Sequence, residues 1–588
     1  MSGPTLLAPV ITVDGELLAD RWMVNIMSVR VDRGLGLVGR ATLRFADPGY
    51  GLAASSTFAL GATVGIAVHA GDSLIAATVT GVSLEQGSSE QPELIVTADD
   101  VAYKLTRGST NRTYLKQTYS DVARSIFQTA GITATVDAGG STVHEYLLQT
   151  GTDLAFIDTL AERNGFVWWV EGTTINFRPA GTSTATVSKT MADQLIEFGV
   201  HASGLRPTKA IVSGWNVDRQ EALVGQQEGA TSSAGNLSDF AGGSRTSKLG
   251  TAVVMTPAPH PADHSDADLM ASSMMNDWTA GSVIARGTCD VDPAIKPSVT
   301  LTVQSAGPAS GDYLITRVEH TYTARGFQSR FTAGGNRPSG LVDTLNPVQD
   351  SAGFDFPGLA IGVVTDINDP DSSGRVKVKL VGLAADSQAI GSPWARLVTL
   401  GGGPKRGAVF QPEVNDEVLV GFEHGDTRRP VVLGGLYSKK NVLPTWEVKN
   451  GQVQARRITS RLGHIVELSD GDDPAAKHVL LQLAGGSHRL RLGEDRFDVE
   501  LASGKPIKIM AGEASFEITE QGDINIVANN ISLKAKAKLD LEGASQATVK
   551  SNGTAAVQGT QVQVKADATA EVNGGGQLAL KGGMVAIN

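Results

Sequence analysis

Between Ile531 and Gly559 apolar or small residues fill nearly every odd position, while most even positions are polar, among them Lys534, Lys536, Lys538, Asp540, Glu542, Gln546 and Lys550. A period of two belongs to a β-strand with one face turned from water. Run as one strand these 29 residues would reach about 95 Å at roughly 3.3 Å per residue, far beyond the usual ~3–10 residues, so the chain must wind. Larger apolar residues return as pairs every seven or eight positions: Ile531 and Leu533, Leu539 and Leu541, Ala547 and Val549, Ala555 and Val557, Val562 and Val564, Ala570 and Val572, Leu578 and Leu580. Small residues such as Gly543, Gly559, Gly574 and Gly582 follow the pairs and let the chain bend.

Looser pairs precede this stretch at Leu490/Leu492, Val499/Leu501, Ile507/Ile509, Phe516/Ile518 and Ile524/Ile526. The repeat is therefore expected to begin before residue 500. Its unit is shorter than the ~20 residues or more of most solenoid turns and offers one chain too few inward positions to enclose a core. Three chains wound about one axis would enclose one, with strand edges paired between chains. The expected core of that needle is Ile531, Leu533, Leu539, Leu541, Val549, Val557, Val562, Val564, Val572, Leu578 and Leu580. A single-chain β-helix and a low-complexity tail are the other readings, although a disordered tail has no reason to keep phase.

Residues 357–437 read as five short strands separated by turns, a pattern that suits a small barrel of the OB type. Further upstream Ala155, Phe156, Leu160 and Ala161 give a helix an apolar face, with Gly165 as its stop. The 68 glycines and 5% aromatic content favour turn-rich β structure, so the fold class is mainly β with minor α.

A formal charge of −11 disfavours the basic surface that a nucleic acid needs. Cys289 is the single cysteine, which rules out an intrachain disulfide and a multi-cysteine zinc site. No basic stretch leads into an apolar run at the N-terminus, and no long apolar segment follows, so synthesis in the cytoplasm without a signal peptide is expected.

Several motifs read as decoys. Gly34-Leu35-Gly36-Leu37-Val38-Gly39 fits a dinucleotide fingerprint, but Ala41–Phe45 alternates like a second strand, so a hairpin turn is expected. Gly401-Gly402-Gly403-Pro404-Lys405 lacks the spacing of a phosphate loop. Asp366, Asn368, Asp369 and Asp371 crowd one loop, yet Pro370 occupies a would-be calcium position, and turn-forming side chains are the better reading. Pro261 between His260 and His264 weakens a metal pair, and Cys289 is expected to be an idle thiol. No catalytic residue, cofactor or metal is expected.

The strings DPDSSGRVKV (369–378), PEVNDEVLVGFEHGD (412–426) and RPVVLGGLY (429–437) together resemble the OB domain of baseplate spike proteins from contractile phage tails and VgrG-type injection systems. Residues carrying the likeness are Gly374, Arg375, Trp394, Pro412, Glu413, Asp416, Gly425, Asp426, Pro430 and Gly434. Residues 458–470 resemble the segment by which that family enters its trimeric β-helix, while 118–132, 147–178 and 311–333 resemble parts of its hub. The resemblance implies a hub of β-barrel type with short helices (1–345), a linker (346–356), the OB barrel (357–437), a connector (438–457) and a triple-stranded intertwined β-helix (458–588). It further implies a non-enzymatic homotrimer at the tip of a contractile particle, phage-tail-like or extracellular, that meets the tail tube and baseplate proteins. About 20 residues separate Tyr437 from Ile458, which leaves no room for a muramidase, and any effector would travel noncovalently. Met584, Val585, Ala586, Ile587 and Asn588 would carry a PAAR-type tip protein.

Two rivals remain at this level. A trimeric tailspike that binds or cleaves carbohydrate would need aromatic platforms, whereas Phe516 is the sole aromatic in residues 500–588. An OB-fold nucleic-acid binder would need the basic surface that the charge disfavours. The rows of lysines read either as a solvated shaft or as an effector-binding face.

Overall fold

A computed structural model describes residues 7–69, 72–87, 91–217, 219–229, 249–256, 261–335, 358–381, 390–443 and 448–587. The expected linker 346–356, His260 and Asn588 lie outside them. The fold is mainly β. It divides into two units, Met1–Leu443 and Pro444–Asn588.

In the first unit, strands Ile26–Gly34 and Arg40–Ala46 pair antiparallel, so the glycine-rich Gly34–Gly39 stretch is a strand-to-strand turn as its flanking alternation predicts. Ile26–Gly34 also pairs with Gly311–Thr323, which closes sequence-distant parts of the hub into one thirteen-stranded sheet. Val29, Val31, Leu43, Phe45 and Val96 are fully buried beneath it, as period-two strands with one inward face require. Three helices flank further small sheets, each begun by a side chain that satisfies an otherwise unpaired backbone N–H. Thr118 caps Tyr119–Thr129, Thr152 caps Asp153–Asn164 and Asp263 caps His264–Ala280. Gly165 ends the second of these at φ +67°, a left-handed conformation that suits a residue without a Cβ.

Residues 358–435 form a six-stranded sheet in the order Ile390–Gly391, Lys377–Leu380, Ala360–Asp366, Glu417–Phe422, Pro430–Gly435, Arg396–Leu397. Its core of Ala360, Val364, Val378, Leu380, Val418, Val420 and Val432 also receives Tyr146 and Leu148 from the hub. Gly362 allows that closure, since a Cβ there would lie 3.0 Å from Val420 and 3.2 Å from Val378.

The second unit includes two multi-stranded antiparallel sheets. Residues 455–500 fold as an antiparallel five-stranded meander of Ala455–Thr459, Ile465–Asp470, Lys477–Gln482, Arg489–Gly493 and Phe497–Glu500. Ile507–Ala511, Ala514–Ile518 and Ile524–Val527 make a second, three-stranded sheet. Apart from Leu501, the looser pairs from Leu490/Leu492 to Ile524/Ile526 therefore lie on strands that pair within the chain. Left-handed glycines explain this, because Gly463, Gly485, Gly486, Gly512 and Gly522 sit at positive φ in the turns between strands. From residue 528 to 587 no strand forms within the chain among the described residues, and Gly575 alone has a positive φ there.

Candidate functional site

The residues that carry the OB likeness are spread over several turns and strands of the barrel. Gly374, at φ +74°, turns the chain so that Arg375 can reach Asp369 at 2.6 Å and also pair with Asp371. Asp369 in turn accepts from the backbone N–H groups of Asp371, Ser373 and Arg375. The Arg375 guanidinium holds the Asp369 carboxyl well below the usual carboxylate range, helped by those N–H groups. The acidic loop is thus a side-chain-stapled turn, as expected from its Asx residues. Trp394 lies under the Lys377 ammonium, 4.9 Å from the ring centroid.

Asp416, Glu413 and Pro412 occupy the turn that opens Glu417–Phe422, where the Asp416 carboxylate accepts from the Glu413 N–H at 2.8 Å. Gly434 lies in the last long strand opposite Leu419, away from the other motif residues. Gly425, at φ +80°, aims Asp426 into the protein. There Asp426 is buried and takes both the Arg428 side chain (2.7 Å) and its backbone N–H (2.9 Å). Burial pushes the Asp426 carboxyl up, but Arg428 and Arg163 outweigh it and hold the group below its ordinary value.

Arg428 meets the hub at this point. Its field reaches Tyr119 and Asp266, both buried, which belong to the first and third hub helices. His144 stacks on Tyr119 with centroids 4.0 Å apart, and burial together with Arg428 and Arg163 pushes its pKa down to about 3. Arg429 donates to the carbonyls of Trp215 (2.8 Å) and Pro261 (3.4 Å). A cavity of about 400 Å³ beside this junction brings Arg375, Trp394 and Pro430 together with His144, Asp263 and Arg428. The sequence did not reveal Tyr119, His144, Arg163, Asp266 or Arg428 as members. Arg428 had one usable signal, its position two residues after a motif aspartate. The hub members have no common spacing that could have joined them.

Among the described residues no cluster of three metal-ligating side chains occurs. His264 is the first residue of its helix, and Cys289 is buried in a strand, where burial pushes the thiol up to about 11. The arrangement is a paired-charge joint that fastens a barrel to its hub.

The residues of the C-terminal repeat stand differently. Ile531, Leu533, Leu539, Leu541, Val549, Val557, Val562, Val564, Val572, Leu578 and Leu580 are all exposed in the single chain, as are Met584, Val585, Ala586 and Ile587.

A barrel of this strand order is joined to a β-rich hub, and a family comparison matches the barrel. The family described as the type VI secretion system and phage-baseplate injector OB domain matches residues 360–437. The family described as the Alg8 N-terminal domain matches residues 4–324, more than half of the chain, and the chain belongs to that family. The type VI secretion system spike protein VgrG5 of Pseudomonas aeruginosa is 42% identical over 78 residues, 13% of this chain and 10% of that one. The chain thus matches a tenth of that relative's length. A chain of the half-lidded Francisella PdpA–VgrG complex has a TM-score of 0.48 at 8% identity, covering 89% of this chain and 88% of that one. The E. coli c3393 protein, described as a type VI component similar to the T4 tail proteins gp27 and gp5, has a TM-score of 0.44 at 16% identity, covering 73% and 99%.

Proposed function

We propose that the protein is the central spike of a contractile injection machine, with residues 1–345 as hub, 357–437 as collar and the C-terminal region as needle. The observation that supports this reading is a phase-keeping apolar alternation from Ile531 that forms no strand pairing among the described residues, downstream of a segment matching an injector OB domain. Its exposed apolar row gains burial when three copies wind together, and each copy's backbone groups then pair with its neighbours'. Rigidity follows from that shared pairing, and the work is mechanical: plugging the tube, organising the baseplate and piercing an envelope. Tube and baseplate proteins meet the hub, and a PAAR-type protein caps the end at Met584–Ile587. No helix among the described residues is long and apolar enough to cross a membrane.

Light scattering of the purified full chain beside one ending at Leu443 tests this. Three chain masses and detergent resistance, both lost on truncation, are the expected result. A full-length monomer under native conditions would overturn it.

A further inference from the structure

Four Asn-Gly steps occur along the chain, at Asn164, Asn450, Asn552 and Asn573. Such a step carries its own chemistry. The backbone nitrogen of the glycine can attack the side-chain carbonyl carbon of the asparagine before it, and a residue without a Cβ lets the two approach. The fold holds the four steps in different states.

Asn164 is the last residue of the helix Asp153–Asn164 and is buried. Its Oδ1 accepts from the Gly140 N–H at 3.0 Å, and its Nδ2 donates to the Ser120 hydroxyl at 3.3 Å. The Gly165 N–H that would attack donates to the Glu162 carbonyl at 3.2 Å. Asn450 and Gly451 make the two-residue turn between Val448–Lys449 and Gln452–Val453, at φ +52° and +76°. Ring closure rotates the asparagine about its Cα–C′ bond, and a turn pinned by the pairing of Lys449 with Gln452 resists that rotation. Asn552 is exposed, but the Gly553 N–H donates to the Ser551 hydroxyl at 3.1 Å.

Asn573 stands apart from these. It is exposed and outside any strand, and its Oδ1 accepts from the Gly575 N–H at 2.9 Å. This Asx turn folds the side chain back toward the peptide with which it would react. The same N–H draws charge from the side-chain carbonyl carbon and sits where negative charge develops when a nitrogen adds to it. Gly574, Gly575 and Gly576 follow with no side chain to shield the carbon. A Cβ on Gly574 would stand 2.5 Å from the Gln577 carbonyl oxygen, so the turn itself demands a glycine there. The alternation that puts Val572 in the inward row puts Asn573 in the outward one.

We propose that Asn573 is a site of spontaneous deamidation, promoted by the Gly575 N–H. The inference stands on this turn alone and needs no three-chain reading. A bond forms between the Gly574 nitrogen and Cγ of Asn573, the Cγ–Nδ2 bond breaks, and Nδ2 leaves as ammonia with the proton of the Gly574 nitrogen. Water opens the resulting succinimide at Cγ to give aspartate, or at the main-chain carbonyl to give isoaspartate. Either product places a new carboxylate two residues from Glu571. Isoaspartate also runs the backbone through Cβ and lengthens it by one carbon, which disturbs the strand phase that sets the faces of Leu578 and Leu580. The turn thus records the age of the chain in the phase of its last repeats.

The test incubates the purified full-length chain at pH 8, digests samples over time, and reads each Asn-Gly peptide by mass spectrometry for conversion of amide to acid. Isoaspartate is told from aspartate by labelling with an isoaspartyl methyltransferase. Asn573 should convert first, with Asn164 and Asn450 at least about tenfold slower, because a site that reacts from an opened state alone is slowed by its opening equilibrium. In denaturant the four rates should converge. Native conversion at Asn573 no faster than at Asn450, or slower than in denaturant, would overturn the proposal. Asn552 overtaking Asn573 would overturn the part given to the Gly575 N–H.

Discussion

In Met1–Leu443 Phe45, Phe177, Trp168 and Val418 are sealed from solvent within their own chain, whereas in Pro444–Asn588 residues of the same kind, Phe497, Leu492, Val549 and Val557, stand exposed. The difference is not one of hydrophobic pattern, since both regions alternate with period two. It lies in what can cover the inward face. In the hub, strands from distant parts of the chain and three capped helices fold over one another, while the second unit has sheets and a tail with nothing of their own to put on top. Among the described residues, one region buries its apolar face within its own chain and the other leaves it exposed.

The first unit should therefore lose stability in a way that protein concentration does not change. Arg428→Met leaves the buried Asp426 carboxylate without its partner, a loss of about 3–5 kcal/mol for a broken buried pair. The expected outcome is a large fall in Tm, equal in the full chain and in one ending at Leu443 and independent of dilution. A fall seen in the full chain alone would tie this joint to assembly and break the comparison.

A second expected effect is smaller and has a direction in pH. Asp100 accepts from the N–H groups of Gly39 at 2.7 Å and Ala102 at 3.0 Å, and burial raises its pKa to about 7 against those bonds and the nearby Arg33. An unfolded aspartate titrates near 3.9. Between these values the folded chain holds a proton that the unfolded chain has released, so stability falls as pH rises from about 4 to 7 and is level above. Asp426 runs the other way: its lowered pKa gives stability that is lost as pH falls below about 4. Thermal melts at pH 5 and pH 8 should show a downward step that Asp100→Asn removes. An unchanged step would mean that Asp100 is ionised throughout.

The sheets and the barrel were legible because alternation and turn residues are local signals. So was the phase of the last sixty residues, since a repeat needs no partner to be seen. The end of self-pairing at Val527 was not, because Ile524/Ile526 and Ile531/Leu533 look alike as pairs and differ in the turns that precede them. The joint was legible on one side alone: Asp426 lies in a recognisable string, while Tyr119, His144 and Asp266 reach it from three hub segments whose meeting is a property of the fold.

Those turns allow the finest test of where one chain stops being sufficient. Gly512 links two self-paired strands at φ +60°, with no atom within 4 Å of where a Cβ would stand. Gly512→Ala therefore costs backbone strain alone, about 1–2 kcal/mol for an L-residue in the left-handed region. Gly553, in the C-terminal repeat, also has open space in its own chain but no left-handed φ, so Gly553→Ala should stay within about 0.5 kcal/mol. Both are read as shifts in the melting of the full-length chain, with Gly512→Ala clearly the lower. Should the two fall equally, the extra loss at Gly553 cannot come from its own backbone or neighbours, and the atoms that crowd its new methyl would belong to another copy.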